Sequence, residues 1–183
     1  PSGVQELTSG GDLLLTFADG ATLLRRIDGR SGATRWSLER RTLNNASLRD
    51  SLSAADGIYL LVATPIDDGT RNVPVLLRLD AAGVVRARRE LPIGTDIVDL
   101  DSAPGGGILL ATAAESGGRL SRYDQGLREI WSVPAALGRP ARLAAEHELW
   151  VGLNGPRGAR AQRLDPNTGR ALAEDAVTAH ALS

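Results

Sequence analysis

Leu24-Arg25-Arg26-Ile27-Asp28, closed four residues later by Gly32, is a pattern that recurs three more times along the chain. The copies are Leu76-Leu77-Arg78-Leu79-Asp80 with Gly83, Leu120-Ser121-Arg122-Tyr123-Asp124 with Gly126, and Ala161-Gln162-Arg163-Leu164-Asp165 with Gly169. Each reads as an apolar strand ending in Asp, a short turn containing Gly, and a further strand. The steps from Asp to Asp are 52, 44 and 41 residues. Self-similarity at such a period marks propeller blades or another stacked array, because one unit cannot bury its apolar face alone.

Outward from each copy, turn residues divide the repeat into four short segments. In the first repeat these are Val4–Ser9, Asp12–Phe17, Thr22–Asp28 and Ala33–Arg40, separated by Gly10-Gly11, Ala18-Asp19-Gly20 and Gly29–Gly32. The second gives Ser47–Ala54, Ile58–Thr64, Val73–Asp80 and Val84–Leu91. The third gives Ile97–Ser102, Gly107–Ala113, Arg119–Asp124 and Leu127–Val133, and the fourth Ala141–Ala145, Glu148–Leu153, Ala159–Asp165 and Arg170–Ala176. Strands of about six residues joined by tight turns make one antiparallel meander per repeat. The second segment is the most apolar, as in Leu13-Leu14-Leu15 or Ile108-Leu109-Leu110. That is the pattern of strands covered on both faces. The fourth is mixed and charged, as in Arg86-Ala87-Arg88-Arg89-Glu90, which suits a solvated edge. The expected fold is therefore all-β, with four consecutive four-stranded antiparallel sheets arranged as propeller blades over about 1–41, 42–92, 93–134 and 135–178. Helix is expected to be scarce, since Pro134 and Pro140 interrupt the Ala-rich stretch Ala135–Glu146.

The chain has 183 residues and a net charge of −1, so no global field favours nucleic acid or an anionic membrane. All 21 basic residues are Arg and there is no Lys, which excludes a Lys-bearing phosphate loop. The absence of Cys excludes disulfides, thiolate metal sites and a thiol nucleophile. No segment approaches the roughly 20 apolar residues of a membrane-spanning helix. Because Pro1 opens the chain and a strand pattern starts almost at once, we expect either a removed signal peptide or, in preference, a piece of a longer protein.

The segments Ile27-Asp28-Gly29-Arg30-Ser31-Gly32-Ala33-Thr34-Arg35-Trp36 and Leu164-Asp165-Pro166-Asn167-Thr168-Gly169-Arg170 resemble the repeat of quinoprotein-like (PQQ-like) β-propellers, which runs Leu-Asp, two variable residues, Thr-Gly, three variable residues, Trp. Tyr123-Asp124-Gln125-Gly126 with Ile130-Trp131 is a shortened copy, whereas residues 76–91 keep Asp80 and Gly83 and have no Trp. The resemblance covers nearly the whole chain. It implies a ring of seven or eight blades, of which these four would be a half-propeller or fragment. A closed four-bladed ring, or two chains completing one ring, is the other arrangement four blades allow. The resemblance does not imply an activity, since fold does not supply function.

Asp28, Asp80, Asp124 and Asp165 open turns and are expected to accept backbone N–H bonds rather than hold a metal. They lack the alternating oxygen ligands of a Ca²⁺ loop. Trp36 and Trp131 are expected as wedges between adjacent blades, and Trp150 as core. His147 and His180 stand in no triad or metal spacing. No catalytic residue, metal site or cofactor is assigned. The longest turn between a second and third strand, Thr64-Pro65-Ile66-Asp67-Asp68-Gly69-Thr70-Arg71-Asn72, is where function would be added to a regular scaffold. Asp67, Asp68 and Arg71 are therefore candidate ligand-binding residues. Asn44, Asn45, Asp96, Arg139 and Arg157 are grouped with them, because loops entering first strands and leaving second strands emerge at one end of a blade. The expected function is non-catalytic, namely protein binding or assembly scaffolding by an exported propeller module, with a protein partner or further blades. The alternatives are the propeller of a larger quinoprotein-like dehydrogenase, or a glycan-binding module.

Overall fold

The alternation of apolar runs and Gly or Asp turns resolves into four antiparallel meanders in the computed structural model, which describes residues 3–6, 11–17, 20–114, 117–135, 139–144, 149–155 and 158–176. The first sheet holds β1 (Gly3–Glu6), β2 (Leu13–Thr16), β3 (Thr22–Ile27) and β4 (Thr34–Glu39). The second holds β5 (Ser47–Ala54), β6 (Gly57–Ile66), β7 (Arg71–Leu79) and β8 (Val85–Glu90). The third holds β9 (Asp96–Ser102), β10 (Ile108–Ala114), β11 (Gly117–Tyr123) and β12 (Glu129–Pro134). The fourth holds β13 (Arg139–Ala144), β14 (Leu149–Gly155), β15 (Gly158–Leu164) and β16 (Ala171–Ala176). Strands pair in chain order within every sheet. Helix among the described residues is confined to two single 3-10 turns, Arg40–Leu43 and Asp67–Gly69, and no helix is long and apolar enough to cross a membrane.

The chain divides into two compact units, Pro1–Ile93 with the first two sheets and Gly94–Ser183 with the last two. In the first, Leu14, Leu23, Leu24 and Leu38 pack against Ile58, Leu60, Val62, Val75, Leu77 and Leu79. The even positions of β6 and the odd positions of β7 supply that layer, as a two-residue period requires. In the second, Leu109, Ala111 and Leu120 pack with Leu149, Val151 and Leu164. Each such buried Leu or Val contributes about 1.5–3 kcal/mol.

One local device is common to all four repeats. The register between third and fourth strands shifts at Arg26/Ile27, Arg78/Leu79, Arg122/Tyr123 and Arg163/Leu164. Each bulge leaves one extra residue on the fourth strand, and a bulge re-aims the side chains beside it. The extra residues are Arg35, Arg86, Ile130 and Leu172. In the first three repeats the Arg before the bulge clamps its own blade. Arg26 Nε donates to buried Asp12 at 2.7 Å, Arg78 Nε to Asp56 O at 3.1 Å, and Arg122 Nη2 to Pro104 O at 2.7 Å. Each acceptor lies in the turn between the first two strands of the same sheet.

In the first and third repeats the residue opposite this Arg is Trp, and in the second and fourth it is Ala87 and Ala173. Trp36 Nε1 donates to Ala81 O at 3.0 Å and Arg26 Nη1 donates to the same carbonyl at 2.8 Å. Trp131 Nε1 and Arg122 Nη1 converge on Pro166 O at 3.0 and 2.7 Å. Both acceptors are the residue after the repeat Asp in the following blade. The rings lie flat on that blade's turn glycine: a Cβ at Gly83 would stand 2.6 Å from Trp36, and one at Gly169 2.7 Å from Trp131. Trp36 and Trp131 are thus wedges between blades, each inside its own unit. Trp150, expected as core, is half-buried on β14.

The aspartates behave as turn residues. Asp28 Oδ1 accepts from Arg30 N and Ser31 N at 2.9 and 2.8 Å, Asp80 Oδ1 from Ala82 N and Val84 N at 2.9 and 3.0 Å. Asp124 Oδ1 accepts from Arg128 N at 2.8 Å, and Asp165 Oδ1 from Asn167 N at 2.7 Å. The closing position of each turn has positive φ, at Gly32, Gly83, Leu127 and Gly169. Among the described residues no cluster of His, Asp or Glu could hold a metal ion.

Candidate interaction site

The second sheet departs from the others at one end. Pairing of β5 with β6 ends at Ser47 opposite Ala63, and pairing of β7 with β8 ends at Val75 opposite Glu90. Beyond both, Thr64–Ile66 pair only with Arg71–Val73, as Thr64 opposite Val73, Pro65 opposite Asn72 and Ile66 opposite Arg71. The stretch expected as the longest loop is therefore a two-stranded ribbon standing past its sheet, with a turn of only a few residues at its tip.

Proline shapes the ribbon edges. Leu91 N donates to Pro74 O at 2.9 Å, so the polar groups of Pro74 point toward the β8 side. Alternation along an antiparallel ladder turns Asn72 the same way, and turns its partner Pro65 toward the β5 side. Proline thus stands at one of the ribbon's two outward-facing positions, Pro65, and again at Pro74 at its base, and supplies no N–H at either. Only Asn72 presents an outward backbone donor.

The tip is held by its own side chains. Asp67 adopts φ 49° and Gly69 φ 89°. Thr70 Oγ1 donates to Asp67 O at 2.8 Å, and Arg71 Nε donates to Asp67 Oδ2 at 2.8 Å. The exposed Asp67–Arg71 pair is worth about 0.2–1 kcal/mol. The Asp68 side chain lies outside the described residues.

At the ribbon base lies a cavity of about 330 Å³. Its walls are Leu43, Val62, Val75, Leu77 and Val85, with Asn44, Thr64 and Arg88 as the main polar groups. The volume falls at the small end of the range for ligand pockets, which are mostly apolar with a few placed polar groups. Thr64 is 7% exposed, and its hydroxyl makes no hydrogen bond to another described residue. Asn44 and Asn45 follow the 3-10 turn in left-handed conformation, φ 52° and 58°, which Asn tolerates better than most residues. The Asn44 N–H caps that turn on Arg40 O. Arg88 donates to Glu90 at 2.9 Å and is half-exposed.

Of the candidate residues, Asp67 and Arg71 meet at the ribbon tip and Asn44 lines the cavity at its base, with Asn45 beside it. Asp96 opens β9 opposite Ala113, and Arg139 opens β13 opposite Asn154, both in the second unit. Arg157, His147 and His180 lie outside the described residues. Sequence reading missed Thr64, Arg88 and the cavity walls, which carry no motif. It also passed over the Arg two positions before every repeat Asp, although its recurrence in all four copies is plain in the sequence.

No protein-family model and no curated protein matches the chain. Solved structures do. One is a protein of unknown function from Bacteroides caccae, with a TM-score of 0.59 and 14% identity, covering 94% of this chain and 59% of that one. Another is BamB from Moraxella catarrhalis, with a TM-score of 0.53 and 16% identity over 94% and 60%. A third is regucalcin, a calcium-binding protein from Agrobacterium tumefaciens, with a TM-score of 0.50 and 17% identity over 93% and 58%. BamB and regucalcin are β-propellers. The sheets of this chain are propeller blades. At these identities the likeness is one of fold, and the chain spans about three fifths of the length of the structures it matches.

Proposed function

We propose that the chain is a non-catalytic β-propeller module, one domain or half of a larger ring, that binds a protein through the β6–β7 ribbon and the cavity at its base. The observation that carries this reading is the ribbon itself, which extends two strands beyond the sheet they belong to. Of that extra length only Thr64 and Val73, at the base, reach the core, and Asp67, Arg71 and Asn72 are left exposed, the usual condition of a recognition element on a regular scaffold. The cavity supplies the matching pocket. A partner's apolar side chain fills the space among Val62, Val75, Leu77 and Val85, and an adjacent acceptor or carboxylate meets Thr64, Asn44 and Arg88. We place the module outside the cytoplasm, which a signal peptide on the full reading frame would test.

The test is site-specific photo-crosslinking in the source cells. A photoreactive residue at Thr70, on the ribbon tip, is expected to trap one protein, and the same residue at Gly20, in the first repeat's shorter turn, is expected not to. Val75→Trp, which fills the cavity, should abolish the adduct. Identical patterns from both positions, or an adduct indifferent to the cavity, would overturn the reading.

A further inference from the structure

The lock between blades has two halves, and one half in this chain is unfilled. In the second and fourth repeats, the carbonyl after the repeat Asp accepts both a Trp indole N–H and an Arg N–H, and the turn glycine lies under the ring. The first repeat carries the same receiving half. Asp28 builds the same turn, Gly29 supplies the carbonyl, and Gly32 holds the closing left-handed position at φ 69°. Here the Gly29 carbonyl accepts no hydrogen bond from a described residue. A Cβ at Gly32 would meet nothing within 4 Å, against 2.6 and 2.7 Å under the two docked rings. Gly29, Arg30, Ser31 and Gly32 are all exposed.

We propose that this first-repeat turn is a docking surface for one further propeller blade, with Trp on its fourth strand facing an Arg two residues before its own repeat Asp. The fit is chemical: a planar ring with an N–H to lie on Gly32, and two donors converging on Gly29 O. The repeats of this chain do not supply that pair. Trp36 and Trp131 are engaged on Ala81 and Pro166, and the other two repeats have Ala87 and Ala173 where the ring is needed. A second copy of the chain is therefore the wrong occupant, and the blade is one outside residues 1–183. This rests on the reading of the chain as part of a larger ring and does not depend on the ribbon's binding a protein.

The chain has no Cys, so Arg30→Cys places a single thiol at the turn, where Asn167 sits in the filled fourth-repeat lock. Two Trp-bearing donors are fused in turn ahead of Pro1 in this variant of residues 1–183: a copy of residues 93–134 and a copy of residues 1–41. Thiol alkylation is expected to be about tenfold slower with either donor than with the same donor carrying Trp131→Ala or Trp36→Ala. A donor copy of residues 42–92, which carries Ala87, is expected to give no protection. Equal rates for the Trp and Ala forms of both donors overturn the proposal. So does concentration-dependent protection of the unfused variant, which would make a second copy the occupant.

Discussion

Asp28 and Asp80 differ from their two counterparts in what the bulge places beside them. Arg35 Nη2 reaches Asp28 Oδ2 at 2.6 Å and Arg86 Nη2 reaches Asp80 Oδ2 at 2.6 Å. At Asp124 and Asp165 the bulge residues are Ile130 and Leu172, about half exposed. Backbone N–H groups of Ser31 and Arg30, followed by Arg35, hold the Asp28 carboxyl below its ordinary value of 3.8. The Val84 N–H, then Arg86 and the Ala82 N–H, do the same for Asp80. Since folding depresses these values, their contribution is fully present above about pH 3.8. It is lost as pH falls through the lower folded values. Urea midpoints measured between about pH 5 and pH 2 should fall in the wild type, and Asp28→Asn with Asp80→Asn should flatten that fall. Conversely, Ile130→Arg and Leu172→Arg should each rebuild the missing ion pair and change stability at neutral pH by at most about 0.5–1 kcal/mol, read from the same midpoints. Glycine substitutions give a sharper contrast. Gly32→Ala costs only the left-handed conformation, about 1–2 kcal/mol, whereas Gly83→Ala and Gly169→Ala must also displace a tryptophan ring and should cost at least about 1 kcal/mol more in chemical denaturation.

At the scale of the element, the ribbon shows how a strand hides from sequence reading. Pro65, Asp67, Asp68 and Gly69 are all turn or breaker residues, so Thr64–Asn72 reads as a loop. The strands persist because each proline stands where its missing N–H would have pointed away from the ribbon partner, which leaves the β6–β7 ladder intact. The same placement guards the edges. Pro65→Val should leave the fold in place, restore an outward donor on the β5 side of the ribbon and make the protein self-associate, visible as rising light scattering with concentration. Scattering unchanged from the wild type would show that the edge is protected some other way. Elsewhere the order of strands was legible from composition alone, because short apolar runs alternate with Gly and Asp turns and leave no competing helical period. The four bulges and the left-handed Leu127 were not legible, since register and backbone conformation at a single non-glycine residue follow from pairing rather than propensity. The cavity was invisible for a related reason: its walls are ordinary core residues.

On the scale of the whole molecule, each compact unit contains one complete lock, Trp36 in the first and Trp131 in the second. Trp36→Ala and Trp131→Ala should each destabilise by about 3 kcal/mol, the low end for such truncations because the rings are only half-buried. Since the sites share no partner, the double variant should lose the sum of the two within about 0.5 kcal/mol, measured by denaturant unfolding. A coupling well above that would mean the two locks respond to one another. The alternation of Trp with Ala along the chain also bears on how such a protein can grow. A duplication that copied the third repeat alone would set a ring over the Leu127 turn, which is unprepared for it, and one that copied the second or fourth alone would leave a prepared turn bare. A duplication that copied two would carry tongue and groove together. Lineages of this chain should accordingly lengthen by pairs of blades or by copies of the first repeat, and a gene found with a lone extra copy of any other repeat should show a compensating change at the turn or at the ring position.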